Sequence, residues 1–132
     1  MNDAEAVRLI REAVDDVIAV YRFGSSVAGE DRPDSDVDLA FLAPCPLDPM
    51  KRFELQERLA VALGRNVDLV DLRSASTVMR MQVVSKGVVL ATVEPEERDR
   101  FEDYVYSSYT RLNEERRAIL ERVLQERTVH GR

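Results

Sequence analysis

Apolar residues recur at helical spacing near the start of the chain. Val7, Ile10, Val14, Val17 and Ile18 alternate with Arg8, Arg11, Glu12 and Asp15, which predicts an amphipathic helix over 4–18 capped by Asp3. A compact apolar run, 19–23, then reads as a strand that ends at Gly24-Ser25. A short helix or turn is expected over 25–29, followed by a charged loop over 30–35 holding Pro33. The apolar run Val37, Leu39, Ala40, Phe41, Leu42 predicts a second strand over 36–43. Pro44, Pro46 and Pro49 punctuate the next loop. Asp48-Pro49 is a helix start, a capping carboxylate before a first-turn proline. That helix runs to Leu63 and stops at Gly64, with an apolar stripe of Phe53, Leu55, Leu59, Ala60 and Leu63. A third strand is expected over 66–72. A helix over 74–85 follows, with Val78, Met79, Met81 and Val83 partly buried, and Gly87 opens a fourth strand, Val88–Val93. Helices alternate with strands, so the fold class is α/β (α+β), a small mixed sheet flanked by helices.

Beyond Pro95 the pattern changes. Residues 95–127 are highly charged and helical in period, about 50 Å if unbroken, with a break expected near Ser107–Asn113. One stripe, Phe101, Tyr104, Val105, Ser108 and Leu112, suits packing on the sheet. A second, Ile119, Leu120, Val123 and Leu124, is hard to bury in so small a domain and suits a partner. The chain thus divides into a core, 1–93, and a C-terminal helical segment of the same domain, 94–132.

The chemistry concentrates where the first strand hands over to the second. Gly24-Ser25 is followed by ten residues and then by Asp36-Val37-Asp38. Alternate strand residues share a face, so Asp36 and Asp38 stand together, roughly 7 Å apart at the backbone. Carboxylates so close repel unless a cation lies between them, and Mg²⁺ prefers hard oxygen ligands of this kind. Gly24 lets the backbone approach a phosphate, while Ser25 and Ser26 offer hydroxyls and turn amides to an anion. A third acid is expected from the strand Asn66-Val67-Asp68-Leu69-Val70-Asp71-Leu72. Asp68 and Asp71 face opposite sides, and Asp68, mid-strand, is the better placed, with Asp71 as the alternative. Three carboxylates could hold two Mg²⁺ ions for in-line displacement, and the third could take a proton from an attacking hydroxyl.

At these residues the chain resembles the minimal nucleotidyltransferase family of the polymerase-β-like superfamily. Gly-Ser, a ten-residue spacer and Asp-x-Asp form its signature, matched by Gly24, Ser25, Asp36 and Asp38, with Asp68 as the third aspartate. The resemblance covers 5–93. The run Phe-Gly-Ser-Ser-Val-Ala-Gly-Glu, the small size and the helical tail make the chain most similar to the antitoxins of HEPN/MNT toxin–antitoxin pairs, a type VII-like system. This implies a nucleotidyltransferase fold and a Mg²⁺-dependent protein adenylyltransferase. Its cofactors would be Mg²⁺ and ATP as co-substrate. The AMP would go to a tyrosine of a cognate HEPN ribonuclease toxin, which it silences. Many members carry arginines after Gly-Ser, where this chain has Ser26 and Ala28. Arg22, Arg32 or Lys51 are the candidates to replace them. Two rival readings are an antitoxin that acts by occlusion without catalysis, and a small-molecule (antibiotic) nucleotidyltransferase.

Composition narrows the setting. The chain has 132 residues, 45% of them hydrophobic, and a net charge of −6 with acids and bases interspersed. That size suits one domain, and the charge argues against direct nucleic-acid binding, which favours a basic patch. No apolar run could span a membrane, and the acidic start lacks a signal-peptide pattern. One cysteine, Cys45, excludes an internal disulfide and suits the cytoplasm. A single histidine, His130, leaves a triad or a zinc site without ligands. Tyr104, Tyr106 and Tyr109 read as packing or surface residues, because the family's acceptor comes from the toxin.

Overall fold

The computed structural model describes residues 2–24 and 36–130. Its elements are helix α1 (Asp3–Ala13), strand β1 (Ala19–Phe23), strand β2 (Val37–Leu42), helix α2 (Pro49–Leu63), strand β3 (Val67–Asp71), helix α3 (Thr77–Lys86), strand β4 (Val88–Thr92) and helix α4 (Pro95–His130). The strands form one mixed sheet in the order β3-β2-β1-β4. β1 runs antiparallel to both β2 and β4, and β2 runs parallel to β3. Three strands therefore begin, and β1 ends, at one end of the sheet. The expected 25–29 turn and 30–35 loop lie outside the described residues, as do Ser25, Ser26 and Arg32.

Side chains alternate across the sheet. Val20, Leu39, Phe41 and Leu69 point to one face, where Ala6, Leu9 and Ile10 of α1 and Leu55 and Leu59 of α2 cover them. Tyr21, Phe23, Ala40 and Leu42 point to the other, beneath Val83 of α3 and Phe101 and Val105 of α4. Each large apolar side chain so buried contributes about 1.5–3 kcal/mol. One polar bond ties the second face together: the Tyr21 hydroxyl donates to Glu102 Oε2 at 2.8 Å. Burial, and then this carboxylate, push the Tyr21 phenol well above its ordinary range, so it stays a neutral donor.

Local chemistry explains the boundaries. α2 begins as its sequence predicts, with Asp48 Oδ1 accepting from the Met50 amide at 3.0 Å, and ends at Gly64 in the left-handed region. α1 is shorter than the expected 4–18, and its cap is Asn2 rather than Asp3, with Asn2 Oδ1 accepting from the Glu5 amide at 3.1 Å. Asp16 adopts φ 57°, a turn that a helix cannot contain. The chain needs that turn to bring Ile18 alongside the sheet, where its amide donates to Leu42 O at 2.7 Å. Val14, Val17 and Ile18 are buried as the periodicity implied, but from a loop.

Three expectations are corrected. Phe53 is 49% exposed and leaves the α2 stripe to Leu55 and Leu59, with Ala60 and Leu63 partly buried. On α3, Val78 and Met79 are exposed, and Val83 alone is fully buried. No break occurs near Ser107–Asn113: α4 is one continuous helix of 36 residues. No glycine or proline follows Pro95 within it, so nothing removes an amide donor or loosens the backbone. Of its first stripe, Phe101 and Val105 are buried and Tyr104 is exposed. No helix among the described residues is long and apolar enough to cross a membrane.

Candidate functional site

β2 carries the two signature acids at its mouth. Asp36 immediately precedes the strand and is exposed, while Asp38 is partly buried between Val37 and Leu39, both fully buried on either side of it. The antiparallel register sets Asp38 opposite Phe23, the residue before Gly24. Gly24 holds φ +80°, and a Cβ built there would collide with Asp38 Oδ2. Only glycine satisfies both the backbone angle and the close approach of that carboxylate.

Register places Asp68 and Asp71 differently. In the parallel pairing of β2 with β3, Asp38 lies directly beside Asp68 and Phe41 beside Asp71. Asp68 is exposed and shares Asp38's face and end of the sheet. Asp71 is 4% exposed at the opposite end. Its Oδ2 accepts from the Leu47 amide at 2.7 Å and its Oδ1 from the Arg73 amide at 3.0 Å. It is a structural carboxylate that fastens the turn after β3 to the loop before α2.

The electrostatics record how crowded the acids are. Asp38 titrates above the ordinary carboxylate range, first because burial penalises its charge, then because Asp68 and Asp36 repel it, with a hydrogen bond to Asp68 adding to the effect. Among the described residues no group of three His, Cys, Asp or Glu is already gathered tightly enough to hold a metal ion. The Asp38–Asp68 pair is in contact, and Asp36 stands at the strand mouth within electrostatic reach. These donors are hard oxygens with surplus negative charge, the chemistry Mg²⁺ requires.

Two of the cations expected to replace the family arginines are misplaced. Arg22 pairs in register with Leu39, so it faces the α1 side of the sheet, where its Nη1 meets Asp3 Oδ1 at 3.2 Å. Lys51 lies in the first turn of α2, beyond the far end of β2, a strand roughly 20 Å long at about 3.3 Å per residue. The sequence alone did not single out Lys86 or Arg65. Lys86 lies two residues before β4 and Arg65 two residues before β3, both at the acid end of the sheet. The only signal that could have found them is the strand order, which sequence does not print. Cys45 is exposed and unbridged.

Residues 5–96 match the model of the polymerase beta nucleotidyltransferase family. The protein adenylyltransferase MntA of Shewanella oneidensis is 40% identical over 124 residues, which cover 94% of this chain and 88% of that protein. A crystal structure of a toxin–antitoxin with AMP-PNP contains a chain that superposes with a TM-score of 0.85 at 40% identity, over 94% of this chain and 99% of that one. A complex of tri-AMPylated Shewanella oneidensis HEPN toxin with MNT antitoxin gives 0.77 at 38% identity, over 92% and 95%. The family match spans most of the chain and the 40% identity extends along 94% of it, so this chain belongs to the polymerase beta nucleotidyltransferase family.

Proposed function

We propose that this chain is the antitoxin of a toxin–antitoxin pair and a protein adenylyltransferase, moving AMP from ATP to a tyrosine of a HEPN ribonuclease toxin. The observation that carries it is the meeting of Gly24, Asp38 and Asp68 at one end of the sheet. The likeness along 94% of the chain to a named protein adenylyltransferase supports the acceptor class. Asp36, Asp38 and Asp68 would hold Mg²⁺, which when bound neutralises phosphate charge and the repulsion among the three acids. Gly24 and Ser25, with Ser26, would cradle the phosphates. Asp68, the more open of the contacting pair, would accept the proton of the tyrosine hydroxyl. The phenolic oxygen then bonds to the α-phosphorus, the bond from that phosphorus to the bridging oxygen breaks, and pyrophosphate leaves with the electron pair. A cytoplasmic setting suits a reaction that consumes ATP.

Residues 1–93 would form the catalytic core and 94–132 the segment that engages the toxin. Ile119, Leu120, Val123 and Leu124 are each between 43% and 58% exposed on α4, an apolar stripe suited to a helical partner. The same stripe favours a second reading, neutralisation by occlusion, in which the acids bind nucleotide without transferring it. Intact mass of the toxin after incubation with this protein, ATP and Mg²⁺ separates the two. Gains of about 329 Da per AMP are expected from the transfer chemistry. An unchanged mass within a stable complex would leave occlusion as the function.

A further inference from the structure

We infer that Lys86, at the end of α3, is the cation that binds the β- and γ-phosphates of the nucleotide, in place of the arginines absent at Ser26 and Ala28. This rests on the nucleotidyltransferase reading of the site and adds a residue to it. Triphosphate and three carboxylates together carry more negative charge than two divalent cations cancel, so the leaving pyrophosphate needs protein cations as well. Among the described residues, three arginines packed on the acid-bearing face are already committed. Arg73 Nε donates to Ala43 O at 2.7 Å, Arg80 Nε to Leu72 O at 2.6 Å, and Arg98 Nη1 to Thr92 Oγ1 at 2.9 Å. Arg22 faces the other side, and Arg65 has a partner of its own. Lys86 makes no hydrogen bond or ion pair among the described residues. It is one of two lysines in a chain with 19 Lys and Arg, and the other, Lys51, stands at the wrong end.

Topology brings Lys86 to the phosphates. α3 starts after β3, at the end of the sheet remote from the acids, and crosses the face to deliver Gly87 against β1. A Cβ on Gly87 would lie 3.1 Å from Arg22 O, and Val88 pairs with Arg22, two residues before Gly24. At 100° per residue, Arg80 and Val84 fall on one side of the buried Val83, and Met79, Gln82 and Lys86 on the other. The first side meets α4: Arg80 lies 5.5 Å from the centre of the Phe101 ring, and Val84 packs in the same cluster. The second side is exposed at Met79, Gln82 and Lys86 and borders the strip of sheet α4 leaves open, where Asp38 and Asp68 stand. A lysine there suits a mobile phosphate better than a rigid fork would, because its ammonium is a point charge on a flexible stem.

The test is binding by titration calorimetry of a non-hydrolysable ATP analogue with Mg²⁺, and separately of AMP, to the full chain and to its K86M and K86R variants. K86M is expected to weaken the triphosphate analogue about tenfold or more, as loss of one charge-assisted contact does. AMP, which lacks the β- and γ-phosphates, should bind K86M as it binds the wild type, and K86R should recover most of the affinity. Unchanged analogue binding by K86M, or an equal loss for AMP, overturns the inference and leaves the adenylyltransferase reading standing. A wild-type chain that takes up no analogue at all overturns both.

Discussion

Asp38 occupies the second position of β2, between Val37 and Leu39, which are wholly buried, and its carboxyl meets that of Asp68 across the parallel pair. The folded protein holds the proton on this group to higher pH than the unfolded chain does. Between the ordinary carboxylate range and that raised value the native state binds the extra proton, so stability falls as pH rises through the window. Below the window both states are protonated and the penalty vanishes. Replacing the carboxylate by an amide removes the charge and keeps the shape. Asp38→Asn is therefore expected to raise the thermal midpoint at neutral pH by roughly 2–4 °C, to match the wild type in acid, and to abolish AMP transfer. Circular dichroism melts at several pH values, beside the toxin-mass assay, check all three. A lower midpoint for the variant at neutral pH would refute the account of Asp38 as a charge the fold holds at a cost. The sequence made Asp36 and Asp38 legible because their spacing is local. It could rank Asp68 over Asp71 only by guesswork about alignment, since nothing in the segment 66–72 says which strand lies beside it.

At the scale of elements, legibility followed the strength of local signals. α2 is bounded by a capping aspartate, a first-turn proline and a terminal glycine, and the structure begins and ends it there. The helical period runs past the end of α1 because Val14, Val17 and Ile18 continue it while serving a loop, and the left-handed turn at Asp16 has no glycine to announce it. The break expected near Ser107–Asn113 of α4 has no glycine or proline to cause it. The helix runs through, and the stripes differ in what they cover. Phe101 and Val105 anchor its first turns against the sheet, whereas Ile119, Leu120, Val123 and Leu124 project beyond. Removing the chain after Asn113 leaves the anchored turns and the Tyr21–Glu102 bond in place. The truncated protein is expected to keep its melting midpoint within a few degrees and its nucleotide affinity within about twofold. Its affinity for the toxin should fall at least ~100-fold, the order expected when a cluster of apolar anchors is lost. Calorimetric titration of the toxin into the truncated chain reads this directly, and undiminished toxin binding would remove α4's outer half from the interface.

The whole molecule converts four separate chain segments into one charged rim. β1 ends there and β2, β3 and β4 begin there, so Gly24, Asp36, Asp38, Asp68 and the start of β4 come from positions spread over more than sixty residues. That convergence depends on β2 and β3 lying parallel and on β1 entering between β2 and β4, long-range choices that periodicity cannot encode. It also makes the fold bear the repulsion of its acids as a single unit. A ligand that neutralises the rim must then stabilise the whole sheet, because it binds the native arrangement and not the unfolded chain. With Mg²⁺ and an ATP analogue at about 100 times their dissociation constant, the added stability is about 2.7 kcal/mol, a rise of several degrees in the midpoint. Chelating the Mg²⁺ should remove most of that rise, since the triphosphate alone adds negative charge to the rim. The double variant Asp36→Asn, Asp38→Asn should melt at the same temperature with and without the metal–nucleotide pair. Differential scanning calorimetry of both proteins in the four combinations of metal and analogue decides it. A chelator-insensitive rise in the wild type would mean that the nucleotide binds without the carboxylates, and the site would have to be sought elsewhere on the molecule.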